Sequence, residues 1–401
     1  MAMRQVSIIG STGSIGSSAA SVIKYANAAE AEPVFEVDAL VAGSDVDGLV
    51  QQVKALGARH AVIADESRYN DLKVALDGQD VTFAAGNEAV CEAAARRVDR
   101  VLAAVVGIAG LPSTFAAIEA GNSVALANKE SMVCAGPILK ALATQNGVCI
   151  VPTDSEHNAM FQVMEQRRDV EKLILTASGG PFRNTPRADL HNVTPDRALA
   201  HPRWDMGQKI SIDSATLFNK GLELIEAAYL FDVPESQIEV VVHPQSIVHS
   251  LVAYRDGSVL AQMGEPDMRT PILHALTWPD RRQPGPAKRL DLAALSQLDF
   301  EALDTDRFQS VDLCRAALHA GGGAPTVLNC ANEAAVAAFL AGQCGFVDIE
   351  WIVAEALSRF SARADASIPL DSLDAVLALD ADAKRLAQDL VKEAALRREG
   401  V

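Results

Sequence analysis

The 401-residue chain has no apolar run of membrane-spanning length, so it offers no candidate transmembrane helix. It also has no CxxC pair. Six cysteines, Cys91, Cys134, Cys149, Cys314, Cys330 and Cys344, lie far apart and mostly in apolar stretches. That scatter disfavours a zinc site or a disulfide frame and predicts buried free thiols. Positive charge is scarce: 35 Lys and Arg against 52 Asp and Glu leave a net charge of −17, which argues against nucleic acid as a partner. Residues 291–401 hold 18 acids and 9 bases, so any anion site is expected upstream of them. No internal repeat, low-complexity tract or signal peptide is visible, and the cytoplasm is the expected compartment.

What is present is a 49% hydrophobic sequence, too long for one compact core. Residues 1–151 alternate short β runs (4–9, 35–42, 60–64, 81–85, 100–105, 123–127, 148–151) with helical stretches. This predicts a parallel sheet covered by helices on both faces. From 152 the texture changes: a strand over 172–176, a helix over 214–231, a strand over 238–243, and two β runs joined by Asp256-Gly257. These predict an α+β domain with a largely antiparallel sheet. Residues rich in Pro, Arg and Asp read as a linker, and helical spacing at 332–340, 349–360 and 373–398 predicts a terminal bundle. The expected class is α/β, with a Rossmann-like dinucleotide-binding domain (1–151), a central α+β catalytic domain (152–280), a linker (281–311) and a C-terminal helical bundle (312–401).

The stretch IIGSTGSIGSSAA puts Gly10, Gly13 and Gly16 between the first strand and the first helix. A dinucleotide pyrophosphate would meet backbone N–H groups and a helix N-terminus there, although such a turn can also serve packing alone. At the tip of the second strand, Gly43-Ser44 is small enough for a ribose 2′-phosphate and favours NADP over NAD. Asp45 beside it suits a helix cap. In ALANKESMV, Lys129 either faces the cleft at the carboxyl end of the sixth strand or is an exposed lysine in a capping sequence.

PTDSEHN delivers Asp154 and Glu156 from the end of a buried-looking strand. In extended chain, residues two apart point to one side, with Ser155 facing elsewhere. A third acid, Glu223, shares a helix face with Asn219 and Lys220. Three carboxylates without a cysteine or histidine set suit a hard divalent cation, Mg²⁺ or Mn²⁺; three separate solvated or capping acids are the alternative. Anion binders cluster nearby. Ser178 precedes Gly179-Gly180, a backbone nest suited to phosphate, and Ser214, Asn219 and Lys220 add donors beside an expected helix N-terminus. HPRWDMGQKIS holds His201, Trp204 and Met206; the tryptophan is a core plug or the apolar part of a lid. His243, His249 and His274 have no metal spacing and read as structural.

GSTGSIG, ANKES, DSEHNA, SGGPF, HPRWDMG with KIS, DSATLFNKGLE, HPQS with HS, and GEPDMRTP occur in this order. Together they resemble the 1-deoxy-D-xylulose 5-phosphate reductoisomerase family of the non-mevalonate isoprenoid pathway, over nearly all of residues 1–275. The resemblance implies a V-shaped homodimer acting on a small phosphorylated keto-sugar, with no nucleic acid or membrane partner. It implies a divalent metal (Mn²⁺ or Mg²⁺, with Co²⁺ a further candidate) on Asp154, Glu156 and Glu223. The substrate phosphate would be held by Ser178, Ser214, Asn219 and Lys220, with His201 nearby and Trp204 on a closing loop. Ser155 and Lys129 would contact the reacting end. Thr12, Gly13, Ser14, Ile15, Gly43, Asn128, Glu130 and Gly207 would touch NADPH, beside Gly10, Ser44 and Asp45 from the loop readings. The implied reaction rearranges and reduces 1-deoxy-D-xylulose 5-phosphate to 2-C-methyl-D-erythritol 4-phosphate.

The chain departs from the family after strand two. There the family commonly has a basic or small residue followed by Asn; here Asp45 follows Ser44 and would repel a 2′-phosphate. Two other functions use the same first domain: a plain nicotinamide-dependent semialdehyde or hydroxy-acid dehydrogenase, and a dinucleotide-sensing regulator without enzymatic activity. Neither accounts for the three separated acids or the phosphate residues.

Overall fold

The computed structural model describes residues 3–201, 203–204, 206–281 and 285–399. Pro202 and Asp205 of the HPRWDMG motif lie outside them. Seven strands form one parallel sheet: β1 (Arg4–Ile9), β2 (Phe35–Ala42), β3 (His60–Ile63), β4 (Thr82–Ala85), β5 (Arg100–Ala103), β6 (Val124–Leu126) and β7 (Ile150–Pro152). Their order is β4-β3-β2-β1-β5-β6-β7. Strands such as β2, buried along nearly its whole length, read as apolar runs because helices cover both faces of the sheet. Helix ends follow local chemistry. Asp45 caps helix Val46–Leu56, and Gly57 closes it in the left-handed region at φ 65°. Helix Lys129–Asn146 opens on Asn128 and kinks at Ala135, two residues before Pro137.

The chain folds as two compact units. The first comprises residues 1–131, 139–161 and 267–290, and the second residues 132–138, 162–266 and 291–401. The chain therefore passes between them more than once. The returning segment gives the first unit Ile272, Leu273, Ala275 and Leu276, which pack with Val6, Ile8, Leu102 and Val151. At 20–33 cal/mol per Å² of apolar area, burying such side chains is worth about 1.5–3 kcal/mol each.

In the second unit, β8 (Val170–Ala177), β9 (Ile238–Val242), β10 (Val248–Tyr254), β11 (Val259–Met263) and β12 (Glu301–Ala302) form a sheet of order β11-β10-β8-β9-β12. It is mixed: β8 and β9 are parallel, and the other pairs are antiparallel. The helix expected over 214–231 is two helices, Gln208–Thr216 and Phe218–Phe231. Leu217 between them takes φ 62°, which ends the first and starts the second. The expected linker carries helix Leu292–Leu295 and strand β12, both too short to show a period. Helices Ser310–Ala320, Ala324–Leu340, Asp348–Ser361 and Leu373–Glu399 follow. The first of these lies outside the helical stretches expected from sequence, although its buried residues Ser310, Val311, Cys314 and Ala317 follow helical spacing. None of the six cysteines forms a disulfide; four are buried, Cys91 is half-buried and Cys149 is exposed. No helix among the described residues is long and apolar enough to cross a membrane.

Candidate active site

In the first unit the strand order reverses between β1 and β5, and ligands of such sheets bind beyond the carboxyl ends at that reversal. Gly10 follows β1 there. Its φ of +96°, and the 2.6 Å a Cβ would leave to the Ala104 carbonyl, both demand glycine. A Cβ on Gly16 would collide with the Gly10 and Ser11 carbonyls, so helix Ser14–Ala29 presses directly on the turn. Its N-cap is Gly13, no side chain caps it, and Gly13 and Ser14 are exposed. The first-turn N–H groups thus have no side-chain acceptor from the cap residue. Gln52, which sequence reasoning missed, fixes the turn by donating from Nε2 to the Ser11 carbonyl at 2.8 Å.

Gly43, Ser44 and Asp45 are exposed beyond β2. Asp45 is a helix cap, its Oδ1 accepting the Gly48 N–H at 2.9 Å. Beyond β6, buried Asn128 accepts the Ser131 N–H at 2.6 Å and donates to the Gly107 carbonyl at 2.7 Å. The capping reading of this stretch therefore holds, but the lysine after it is not exposed. Lys129 is buried, and its Nζ lies 2.6 Å from Asp154 Oδ2. Glu130 is buried as well.

Asp154 emerges from the end of β7, yet the extended chain assumed for it stops at once, because helix Ser155–Val163 begins at the next residue. Glu156 stands in the first turn of that helix. Its backbone N–H donates to Asp154 Oδ1 at 3.2 Å, and its Oε2 accepts from Ser155 Oγ at 2.6 Å. His157 Nδ1 also lies 3.2 Å from Asp154 Oδ1. Lys129, His157 and a backbone amide thus converge on one carboxylate, which offsets the cost of holding it away from water. His157 has no periodicity signal of its own; its only clue is its place in DSEHN.

The second unit assembles a different set. Ser178 follows β8, and Gly179 and Gly180 take φ of +83° and +66°. A Cβ on Gly180 would stand 2.6 Å from the Ser214 carbonyl, so only glycine lets this loop reach Ser214. His201 Nδ1 accepts the N–H of Trp204 at 2.9 Å and of Arg203 at 3.2 Å. Burial lowers the ring's pKa to about 4, so it is neutral and its proton sits on Nε2, 3.0 Å from Ser178 Oγ. Ser178 Oγ accepts there and from the Gly180 N–H at 3.2 Å. With both lone pairs engaged, its own proton is used in neither bond.

Helix Phe218–Phe231 starts beside Ser214 because of the Leu217 break, and it has no side-chain cap. On its first turns Asn219 Nδ2 and Lys220 Nζ both donate to the carboxylate of Glu223. Lys220 and Glu223 are 3% and 1% exposed, so each charge depends on a partner. The Trp204 ring lies 6.3 Å, centroid to centroid, from that of His249, whose pKa burial lowers to about 4. His249, read as structural in the sequence, is thus a neighbour of the candidate lid residue. Gly207 is the exposed N-cap of helix Gln208–Thr216. The expected metal ligands divide by unit: Asp154 and Glu156 belong to the first, Glu223 to the second.

The chain matches family models over most of its length. Residues 6–136 match the model described as 1-deoxy-D-xylulose 5-phosphate reductoisomerase, and residues 150–231 match that of its C-terminal domain. Residues 263–386 match a further model, the DXP reductoisomerase C-terminal domain. A curated 1-deoxy-D-xylulose 5-phosphate reductoisomerase from Caulobacter vibrioides is 51% identical over 97% of both chains. One from Rhodospirillum centenum is 52% identical over 97% of this chain and 94% of its own. Among solved structures, the Zymomonas mobilis reductoisomerase in complex with NADPH is 47% identical with a TM-score of 0.89, covering 97% of this chain and 99% of that one. A DOX-P reductoisomerase in complex with NADPH, fosmidomycin and magnesium is 40% identical with a TM-score of 0.91, covering 97% and 98%. With motifs, fold and end-to-end identity in agreement, the chain belongs to the 1-deoxy-D-xylulose 5-phosphate reductoisomerase family.

Proposed function

We propose that the chain converts 1-deoxy-D-xylulose 5-phosphate to 2-C-methyl-D-erythritol 4-phosphate, using NADPH and a divalent cation. The observation that carries this reading is the convergence of Lys129, His157 and a backbone amide on Asp154, beside Glu156, in a chain whose relatives bear that activity in their names. Asp154, Glu156 and Glu223 are the ligands for Mg²⁺ or Mn²⁺, with Co²⁺ also suited to oxygen donors. The donor set fits: three carboxylates, each already fixed by neighbouring donors. The bound cation supplies Lewis-acid polarisation of the substrate's ketone, and NADPH supplies the hydride.

The chain's own residues do the rest. Lys129 and Ser155 orient the reacting end of the substrate. Ser178, Ser214, Asn219 and Lys220 bind the phosphate; neutral His201 aims the Ser178 hydroxyl, and Trp204 helps to exclude water. The uncapped turn at Gly10, Thr12, Gly13, Ser14 and Ile15 takes the pyrophosphate, while Gly43, Ser44 and Asp45 meet the adenosine ribose. Asn128, Glu130 and Gly207 border the cofactor. Residues 1–151 carry the NADPH-binding role, residues 152–280 the catalytic and dimerisation role, with 267–290 packed into the first unit, and residues 312–401 the helical domain joined by 281–311. We infer a homodimer in the cytoplasm, a compartment consistent with six cysteines that form no disulfide.

The test follows NADPH oxidation with the keto-sugar phosphate, before EDTA, after EDTA, and after Mn²⁺ is restored. Loss and recovery of turnover are expected. Turnover that EDTA leaves untouched would remove the metal from the mechanism, and no turnover under any condition would remove the reaction.

A further inference from the structure

Asp213, the residue before Ser214, is a carboxylate 1% exposed on helix Gln208–Thr216. Nothing in the proposed chemistry uses it. Its Oδ2 lies 2.7 Å from Lys209 Nζ one turn earlier, and its Oδ1 accepts from Asn332 Nδ2 at 2.7 Å. Asn332 is fully buried in helix Ala324–Leu340, more than a hundred residues along the chain. A buried ion pair adds little stability over well-packed apolar residues, but it fixes geometry, because each lone pair has one good position. The carboxylate therefore sets where this helix ends against helix Ala324–Leu340.

Two further contacts grip the same stretch from the C-terminal helices. Ser310 Oγ donates to the Thr216 carbonyl at 2.6 Å, in a buried position. Gly221, next to Lys220, presses on helix Ser310–Ala320 so closely that a Cβ would stand 2.9 Å from Cys314 Cβ. The segment from Ser214 to Lys220 thus bends at Leu217 between anchors on both sides of the bend. Of the two hydrogen bonds among them, Asp213–Asn332 is the one made by side chains at both ends.

We propose that Asn332, acting through Asp213, is a positioning residue for phosphate binding by Ser214, Asn219 and Lys220. The proposal rests on the phosphate reading of those three residues. Asn332→Asp places a second carboxylate against Asp213 and pushes helix Gln208–Thr216 out of register. Combining it with Asp213→Asn exchanges amide and carboxylate, restoring the hydrogen bond and keeping one acid near Lys209.

Each variant is measured for kcat, for KM of the phosphorylated substrate, and for competitive inhibition by inorganic phosphate, at a temperature well below its own Tm. For Asn332→Asp, KM and the phosphate inhibition constant are expected to rise about tenfold while kcat changes less, the scale of a donor displaced by a fraction of an ångström. The double exchange is expected to recover most of that loss. A lower Tm with unchanged KM and phosphate inhibition would overturn the proposal, as would a double exchange that recovers nothing. Lys220→Met, run alongside, reports on the pocket by itself. If it weakens phosphate inhibition and Asn332→Asp does not, positioning fails and the pocket stands. If neither variant affects phosphate, the pocket assignment fails and the positioning role with it.

Discussion

Replacing Lys220 by Met tests the phosphate pocket most directly, because the chain must bind a dianion despite its own net charge of −17. Long-range attraction works against the ligand, so affinity has to come from close donors in a dry site. Lys220 is the full positive charge among the proposed phosphate ligands, and its side chain is 3% exposed. Met keeps the length and most of the packing. Loss of a desolvated charged contact is worth about 2–4 kcal/mol in transition-state binding, or roughly 30- to 900-fold in kcat/KM. The structure adds a second effect. The same ammonium pairs with Glu223, which is 1% exposed, and taking one partner from a buried pair costs about 3–5 kcal/mol of stability. The variant should therefore melt at a lower temperature as well. A divalent cation should raise its Tm by more than it raises that of the parent, because the acid left behind attracts the cation more strongly. The assay compares kcat/KM for the phosphorylated keto-sugar and its unphosphorylated analogue on both enzymes. The phosphorylated substrate should lose the full factor, and the analogue should lose little. Equal proportional losses would show that Lys220 serves the fold or Glu223 alone, and would sink the phosphate assignment.

Glu223→Gln keeps size and removes charge, so turnover should fall by at least 100-fold while NADPH binding, followed by fluorescence, persists; undiminished, EDTA-resistant turnover would exclude Glu223 as a ligand. Asp45→Asn should lower KM for NADPH and leave that for NADH nearly unchanged. Asn caps helices as well as Asp does, so Tm should hold within about a degree or two, and equal effects on both cofactors would confine Asp45 to its capping role. His201, His249 and His274 all have pKa values lowered from 6.5 to about 4, chiefly by burial. Between those values the unfolded chain binds the protons that the folded chain refuses. Their contribution is thus intact above about 6.5 and is lost as pH falls toward 4. Tm should drop over that window, and His249→Phe should flatten the drop; an unchanged slope would mean that the ring is charged in the folded state.

The sheet of the first unit was legible in sequence, because its central parallel strands are largely buried and leave apolar runs, although β4 at the edge is not buried. The helix over 214–231 was not, since its break depends on Leu217 adopting a left-handed backbone that no local residue type announces. The residues around Asp154 and Glu156 were legible as types. Their geometry was not: a period of two assumes a strand, and the chain turns into a helix at Ser155. Lys129 illustrates the limit most simply. Its stretch reads equally as a cap or a site, and only tertiary packing buries the ammonium against Asp154. Asp213 and Asn332 lie 119 residues apart, beyond the reach of any periodicity.

The return of residues 267–290 to the first unit sets a schedule for the newborn chain. All seven strands of the parallel sheet have been synthesised by Pro152, but the core they cover lacks Ile272, Leu273 and Leu276. Arg4, at the very start of β1, donates to the carbonyls of Leu276 at 3.1 Å and Trp278 at 2.7 Å. At ribosomal speeds of about 5–20 residues per second, the sheet waits roughly 6–25 s for the helix that seals it. For that interval the sheet lacks the apolar residues that complete its core, and apolar surface exposed during folding favours aggregation. It also means that a fragment cut at the end of β7 is an unfinished fold, lacking the returning residues 267–290 of its own unit.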